Sequence, residues 1–397
     1  MNFVFISPQF PKTYWNFCDR LKRNGVTVLG IGDTPYDALD EEVKNSLVEY
    51  YYVSSLQDYD QMYKAVAYFC FRYGKIDWLE SNNEFWLEQD AHLRTDFNIT
   101  TGPQDDYIAN IKYKSVMKAS YEKAGVPVAR YHMVDDNIEH GRQFIEKVGY
   151  PVIVKPDNGC GAEATYKLKN EEDLVNFYNT KPAVQYIMEE FISGTIVSFD
   201  GICDSNSVPI FYTSNYFPVP IMEIVNTNGH LAYWTVKDVP EDLKDAGFRT
   251  IKAFGVKNRF FHCEFFRLNE DKEGMGKKGD IVALEVNMRP AGGYTPDMIN
   301  FANSVDAYQL WADMITYDRC WIPEDQKRYF CVYASQRDGH NYVHDDAAIR
   351  AAYGSQILMS ERMPEALAMD MGNQMYVIKT ETFEEMMKFV EFVQGEN

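Results

Sequence analysis

The chain has 397 residues, 15% of them aromatic, enough for two or three domains around at least one well-buried core. Asp and Glu number 59 against 39 Lys and Arg; the resulting net charge of -20 repels a phosphate backbone and excludes nucleic acid as a general partner. Seven scattered cysteines without a CxxC pair, no basic leader and no apolar stretch of membrane-spanning length predict a cytoplasmic protein with reduced thiols and no membrane partner.

Residues 3–6 read as a buried strand, and a helix over 15–23 ends at the Asn24-Gly25 stop signal. A second strand is predicted at 26–31, a helix at about 58–73 with Gly74 as its stop, and a third strand at 76–79. This alternation makes the first hundred or so residues a Rossmann-like βαβ domain. It lacks the dinucleotide fingerprint, because Ser7-Pro8-Gln9-Phe10-Pro11 holds no glycine for a phosphate turn. A helix follows over about 106–124, stopped by Gly125, then a strand at 128–134, a helix at 138–147 and a strand at 152–155. From 195 to 286 the pattern becomes hairpin-like, with turns expected at Asn228-Gly229 and in the charged loop 271–280. Past about Trp321, strand and helix signals resume through 383–393 as a smaller terminal unit.

Within this frame, Leu284-Glu285-Val286-Asn287-Met288-Arg289 splits by parity. A regular strand puts Leu284, Val286 and Met288 toward a core and gathers Glu285, Asn287 and Arg289 on the other face. A carboxylate, an amide and a guanidinium in one row suit a metal-bound phosphate. Lys155 ends an apolar strand beside a small-residue loop that starts Pro156-Asp157-Asn158-Gly159-Cys160-Gly161, where a lysine can neutralise a phosphate while loop amides contact its oxygens. Glu264 lies in an otherwise apolar strand, costly for an unpaired carboxylate, with Arg259 and Arg267 as alternative partners. A hairpin through 271–280 would set Glu264 beside Glu285. Two adjacent carboxylates repel unless a cation lies between them, and the oxygen donors of Glu264, Glu285 and Asn287 suit magnesium. His262 shares the face of Glu264 in a regular strand. His340 and His344 have helical metal spacing but sit in a loop-like setting, and Cys160 reads as a small neutral filler.

Taken in order, these motifs resemble the ATP-grasp superfamily over most of the chain, in the style of its carboxylate-amine (amino-acid or dipeptide) ligases. The resemblance implies a multidomain α/β and α+β protein: a Rossmann-like domain over 1–105, an ATP-grasp fold over 106–320 with a small lid subdomain at about 127–190, and a small C-terminal α/β unit over 321–397. It implies ATP and magnesium as cofactors, with manganese as the alternative ion. Lys114 and Lys155 then correspond to the two nucleotide-phosphate lysines, and 157–164, including Gly159 and Gly161, to the glycine-rich lid. Met188-Glu189-Glu190-Phe191-Ile192 resembles the adenine hinge, with backbone groups of Glu190 and Ile192 reading the base and Glu189 nearby. Glu264, Glu285 and Asn287 match the metal ligands, and Arg289 matches the arginine that steadies the transferred phosphate. Ile196 stands where the family places its ribose-binding glutamate. The implied reaction activates a carboxylate as an acyl phosphate for attack by an amine, so the partners are small-molecule carboxylate and amine substrates, with a homodimer as the default assembly. The alternatives are a carbamoyl-phosphate-like or carboxylase-like enzyme using bicarbonate, and a nucleotide-binding regulatory protein without turnover.

Overall fold

The computed structural model of the chain describes residues 1–159 and 164–397; Cys160 and Gly161 of the expected phosphate loop lie outside the described residues. Four strands open the chain: β1 (Asn2–Ile6), β2 (Thr27–Gly32), β3 (Glu49–Tyr52) and β4 (Trp78–Glu80), all parallel in the order β3-β2-β1-β4. Both faces of β1 are buried, as a parallel sheet covered on each side requires. Phe3 and Phe5 pack against Phe17 and Leu21 of the helix Trp15–Arg23, whereas Val4 and Ile6 pack against Met62 and Phe69 of the helix Tyr59–Tyr73. The Rossmann-like expectation is therefore met, with β3 as the unforeseen strand. Its Glu-Tyr-Tyr-Tyr sequence sits half-buried at the sheet edge and has no buried apolar residue to mark it.

The helix expected over about 106–124 is two helices, Asp105–Lys112 and Lys114–Ala124, separated by Tyr113 in an extended conformation (φ -97°, ψ 119°). No glycine or proline marks this break. It is fixed by tertiary bonds: the Lys114 N–H donates to the Asp157 carbonyl at 3.0 Å, and Ser115 N–H to the Asp157 carboxylate at 2.7 Å. Next come β5 (Tyr131–Met133), β6 (Val152–Pro156), β7 (Tyr166–Leu168) and β8 (Tyr186–Glu190), an antiparallel sheet ordered β5-β8-β6-β7. Helices Ile138–Val148 and Glu171–Thr180 bury Ile145, Leu174 and Phe177 on it. The strand expected over 128–134 is shorter; Val128 makes only an isolated bridge to Ala283.

The remaining strands are β9 (Gly194–Cys203), β10 (Pro209–Thr213), β11 (Asn215–Phe217), β12 (Ala232–Thr235), β13 (Arg259–Leu268), β14 (Ile281–Asn287), β15 (Phe330–Gln336), β16 (Ile357–Arg362) and β17 (Gln374–Thr380). They form one nine-stranded sheet in the order β14-β13-β9-β11-β12-β15-β17-β16, with β10 beside β9. Two helices, Ile221–Thr227 and Glu241–Phe254, interrupt what reads as hairpins in the sequence. Asn228 (φ 52°) ends the first of them, so Asn228-Gly229 is not a hairpin turn; the left-handed conformation that favours Asn in such turns serves equally well at a helix end. The strands of the terminal stretch pair onto β12 through β15 and so extend the central sheet.

Candidate active site

The central hairpin builds the site. In the β13–β14 pair, Glu264 stands directly opposite Glu285 and His262 opposite Asn287. The pairing slips between Glu264 and Phe265, where Phe265 meets Ala283 and Leu284 is the extra, bulged residue. Regular parity therefore fails at one position: Ala283, Val286 and Met288 are in the core, whereas Leu284 is only half-buried and joins none of it. The bulge leaves Glu285 and Asn287 on one face, as expected. Glu264 is a quarter exposed, Glu285 less so, and Asn287 is buried. Neither Arg259 nor Arg267 pairs with Glu264: Arg259 bonds Glu80 at 2.6 Å and Arg267 bonds Asp242 at 2.6 Å. Burial opposes charge on Glu264, but His262, Arg289 and Lys155 outweigh it and hold the carboxyl below its usual range.

The break at Tyr113 sets Lys114 at the first turn of its helix, 3.4 Å from Glu285 Oε1 and 3.1 Å from the Gly159 carbonyl. Lys155, at the end of β6, lies 2.7 Å from Glu189 Oε2, and Lys118 bonds the other oxygen of the same carboxylate. Burial works against Glu189 being charged; the two ammonium groups prevail and draw it down to about 2. For Lys155, burial acts downward and is outweighed by Glu189, Glu285 and Glu264, so the ammonium form is favoured. Two lysines from different elements thus reach one strip of carboxylates, with positive and negative groups interleaved.

Arg289 follows β14. Its Nε lies 3.3 Å from Glu84 of the N-terminal domain, and its Nη1 donates to the Pro290 carbonyl at 2.8 Å. Glu84 also accepts from Lys112 at 2.8 Å. The Glu190 side chain is committed to Arg130, which donates from Nε at 2.9 Å and from Nη2 at 2.7 Å, while the Glu190 N–H donates to the Arg130 carbonyl. Ile192 is buried against Ala129, Leu268 and Val282. Ile196 sits in β9 opposite Phe266 and Phe217, in an apolar setting.

Several residues that complete this arrangement escape a reading of the sequence. Lys118 was discoverable, because it stands four residues after Lys114 and shares its helix face. Glu84 was not, since it reaches Arg289 across 205 residues. A buried polar chain continues from His262, whose Nε2 lies 3.3 Å from Glu264 Oε1 and whose Nδ1 bonds Asp200. Asp200 accepts from Ser198 and from Asn215 at 2.8 Å, and Asn215 accepts from Thr235 at 2.8 Å. Burial disfavours the imidazolium, yet Asp200 and Glu264 raise His262 to about 9. Of the other histidines considered, His344 stacks on Phe392 and His340 contacts Glu396; both lie outside this site.

The site thus brings the oxygen-bearing side chains of one antiparallel sheet together with two lysines, one from a helix and one from the end of a four-stranded sheet. A family model described as an ATP-grasp domain matches residues 109–240. The L-arginine-specific L-amino acid ligase of Bacillus subtilis is 22% identical over 282 residues, which cover 67% of this chain and 64% of that protein. D-alanine–D-alanine ligase B of Clostridium perfringens (strain 13 / Type A) is 26% identical over 182 residues, 45% of this chain and 57% of the relative. The chain thus spans less than two thirds of the length of these curated relatives. The crystal structure of an L-amino acid ligase from Bacillus licheniformis superposes with a TM-score of 0.75 at 14% identity, covering 100% of this chain and 97% of that one. These similarities establish the fold across the whole length. No described helix is long and apolar enough to cross a membrane.

Proposed function

We propose that the chain is an ADP-forming carboxylate-amine ligase acting on amino-acid-like substrates. The observation that carries this reading is the direct opposition of Glu264 and Glu285 with Lys114 and Lys155 beside them. Like charges facing each other across a strand pair are unfavourable, and an oxygen-rich pair of this kind fits a hard divalent cation. Glu264, Glu285 and Asn287 would hold magnesium, which neutralises phosphate oxygens and supplies Lewis acidity there.

Lys114 and Lys155 contribute fixed positive charge where the β- and γ-phosphates of ATP would lie, and Gly159 reaches the same place, its carbonyl 3.1 Å from Lys114 Nζ. The hinge 188–192 receives the adenine, with the backbone of Glu190 and Ile192 facing the base and Glu189 holding Lys155 in place. Arg289, anchored by Glu84, steadies the transferred phosphoryl group and the acyl phosphate it forms on the substrate carboxylate. The amine then attacks that carbonyl and phosphate leaves. Preorganised charge does most of this work, since the groups are already fixed by their neighbours. Ile196 leaves the ribose without its usual carboxylate, so sugar recognition rests on other contacts.

A phosphate-release screen over paired carboxylates and amines, followed by mass spectrometry of each positive pair, tests the reading. A condensed product one water lighter than its two substrates, formed with stoichiometric ADP, is expected. Incorporation of labelled bicarbonate, or ATP binding without substrate-stimulated ADP release, would replace it.

A further inference from the structure

The second cluster of ligand-type side chains lies away from the nucleotide strip. His230 follows the helix Ile221–Thr227, His340 lies in the loop after β15, and Glu396 is bridged to Tyr342. The Nδ1 of His340 is 2.6 Å from Glu396 Oε1, and the Nε2 of His230 is 3.3 Å from the same oxygen. One donor atom from each of the three residues falls within 4.8 Å of the others. The two imidazole rings are 5.0 Å apart and inclined at 70°, so they do not stack on one another.

We infer that His230, His340 and Glu396 form a binding site for a borderline divalent transition cation, zinc foremost. Three arguments support this assignment. Ligands at 2.0–2.1 Å in a tetrahedron stand about 3.3 Å from one another, so the two separations to Glu396 need to change by under roughly 1 Å and the third, which lies within 4.8 Å, by at most about 1.5 Å. Two imidazoles with one carboxylate select zinc, nickel or copper over magnesium, which takes oxygen donors. The outer nitrogens of both rings are already engaged. Tyr342 OH lies 2.9 Å from His230 Nδ1, and the Asn228 amide lies 3.2 Å from His340 Nε2. A hydroxyl both donates and accepts, and an amide turned end for end presents its oxygen. Each can therefore receive the N–H that its ring carries once the inner nitrogen binds a metal.

The three ligands come from chain segments far apart in sequence, so the bound ion would tie the 228–230 turn to the loop after β15 and to the segment around Glu396. All three side chains are partly exposed, His230 at 22%, His340 at 24% and Glu396 at 45%, which leaves a route for entry and a position open to water. The site is independent of the ligase reading, because none of its residues belongs to the nucleotide strip.

The test is zinc binding to the full-length, tag-free protein, followed by competition with a chromophoric chelator in millimolar magnesium. Expected are one zinc per chain with a dissociation constant on the order of 1 µM and a rise in melting temperature. Cobalt substitution should give the visible absorption of a four-coordinate ion. His230→Ala and His340→Ala should each weaken binding at least about 100-fold while melting at the wild-type temperature without zinc. His340→Gln, which keeps a polar partner for Glu396, serves where the alanine variant folds poorly. Overturning results are wild-type binding weaker than about 100 µM, or unchanged binding in the double histidine variant, which would place the ion elsewhere, at Glu264 and Glu285 or on the cysteines.

Discussion

Glu264 and Glu285 face each other in register across the β13–β14 hairpin, and Lys114 lies 3.4 Å from the second of them. A pair of opposed carboxylates raises the energy of the sheet unless positive charge is shared between them. Removing one should leave the fold intact and abolish the response to the cation. For Glu285→Gln, turnover at saturating ATP should fall by about 10²–10³. The rise in melting temperature produced by magnesium with ATP should vanish, since that rise follows ligand affinity for the folded state alone. A magnesium titration followed by calorimetry and by ADP release checks both; full turnover in this variant would refute the site.

Glu84 holds Arg289 from the N-terminal domain, at 3.3 Å from its Nε. Glu84→Gln keeps the shape of the side chain and removes the charge that anchors the guanidinium. A group misplaced by about 1 Å costs roughly 10² in rate, so kcat should fall tenfold to a hundredfold. The KM for ATP should stay within about twofold, because Glu84 touches none of the phosphate lysines except through general field effects. Arg289→Lys should lose as much or more, as a point charge does not reproduce a planar fork.

The parts of the site that were legible in the sequence are those with short-range causes. The row Glu285, Asn287 and Arg289 follows from strand parity, and Glu264 follows from a charged loop joining two apolar runs. Three features have no local cause. Tyr113 breaks a helix because Asp157 captures the next two amides. Leu284 bulges out of register although nothing in its own sequence marks it. Glu84 takes its role from a residue 205 positions away, where only the folded chain sets distance. The helices Ile221–Thr227 and Glu241–Phe254 were hidden in the same way, because their surroundings read as alternating strands.

Gly247 in the helix Glu241–Phe254 packs on Phe199 of β9. A Cβ at this position would lie 2.2 Å from Phe199 Cδ1, and that ring is fully buried between Phe261 and Phe248. Gly247→Ala therefore sets two effects against each other. Helix propensity favours alanine by about 1 kcal/mol, whereas overpacking a core costs about 1–3 kcal/mol. The ring is fully buried and flanked by three other aromatic rings, so the second effect should win. Chemical denaturation should show a net loss of about 1–2 kcal/mol; a stabilised variant would mean that β9 and this helix separate easily.

Glu189 lies between Lys118 and Lys155, with all three side chains buried. Its carboxyl is drawn from an ordinary 4.5 to about 2, burial opposing and the two lysines prevailing. A carboxyl whose folded value is lowered stabilises the fold above its unfolded value. That contribution is complete above about 4.5 and is lost as the pH falls from 4.5 toward 2. Lys155 behaves oppositely: its raised value adds stability below the ordinary 10.5, which is lost as the pH climbs beyond it. In Glu189→Gln the two ammonium groups keep each other's repulsion and lose their shared counter-charge. Breaking a buried pair this way costs about 3–5 kcal/mol. The unfolding free energy of the variant should therefore be lower at neutral pH, and its slope between pH 4.5 and 2 shallower than that of the wild type. Urea unfolding across that range measures both. Parallel pH slopes for the two proteins would show that Glu189 is not the group through which acid loosens the site.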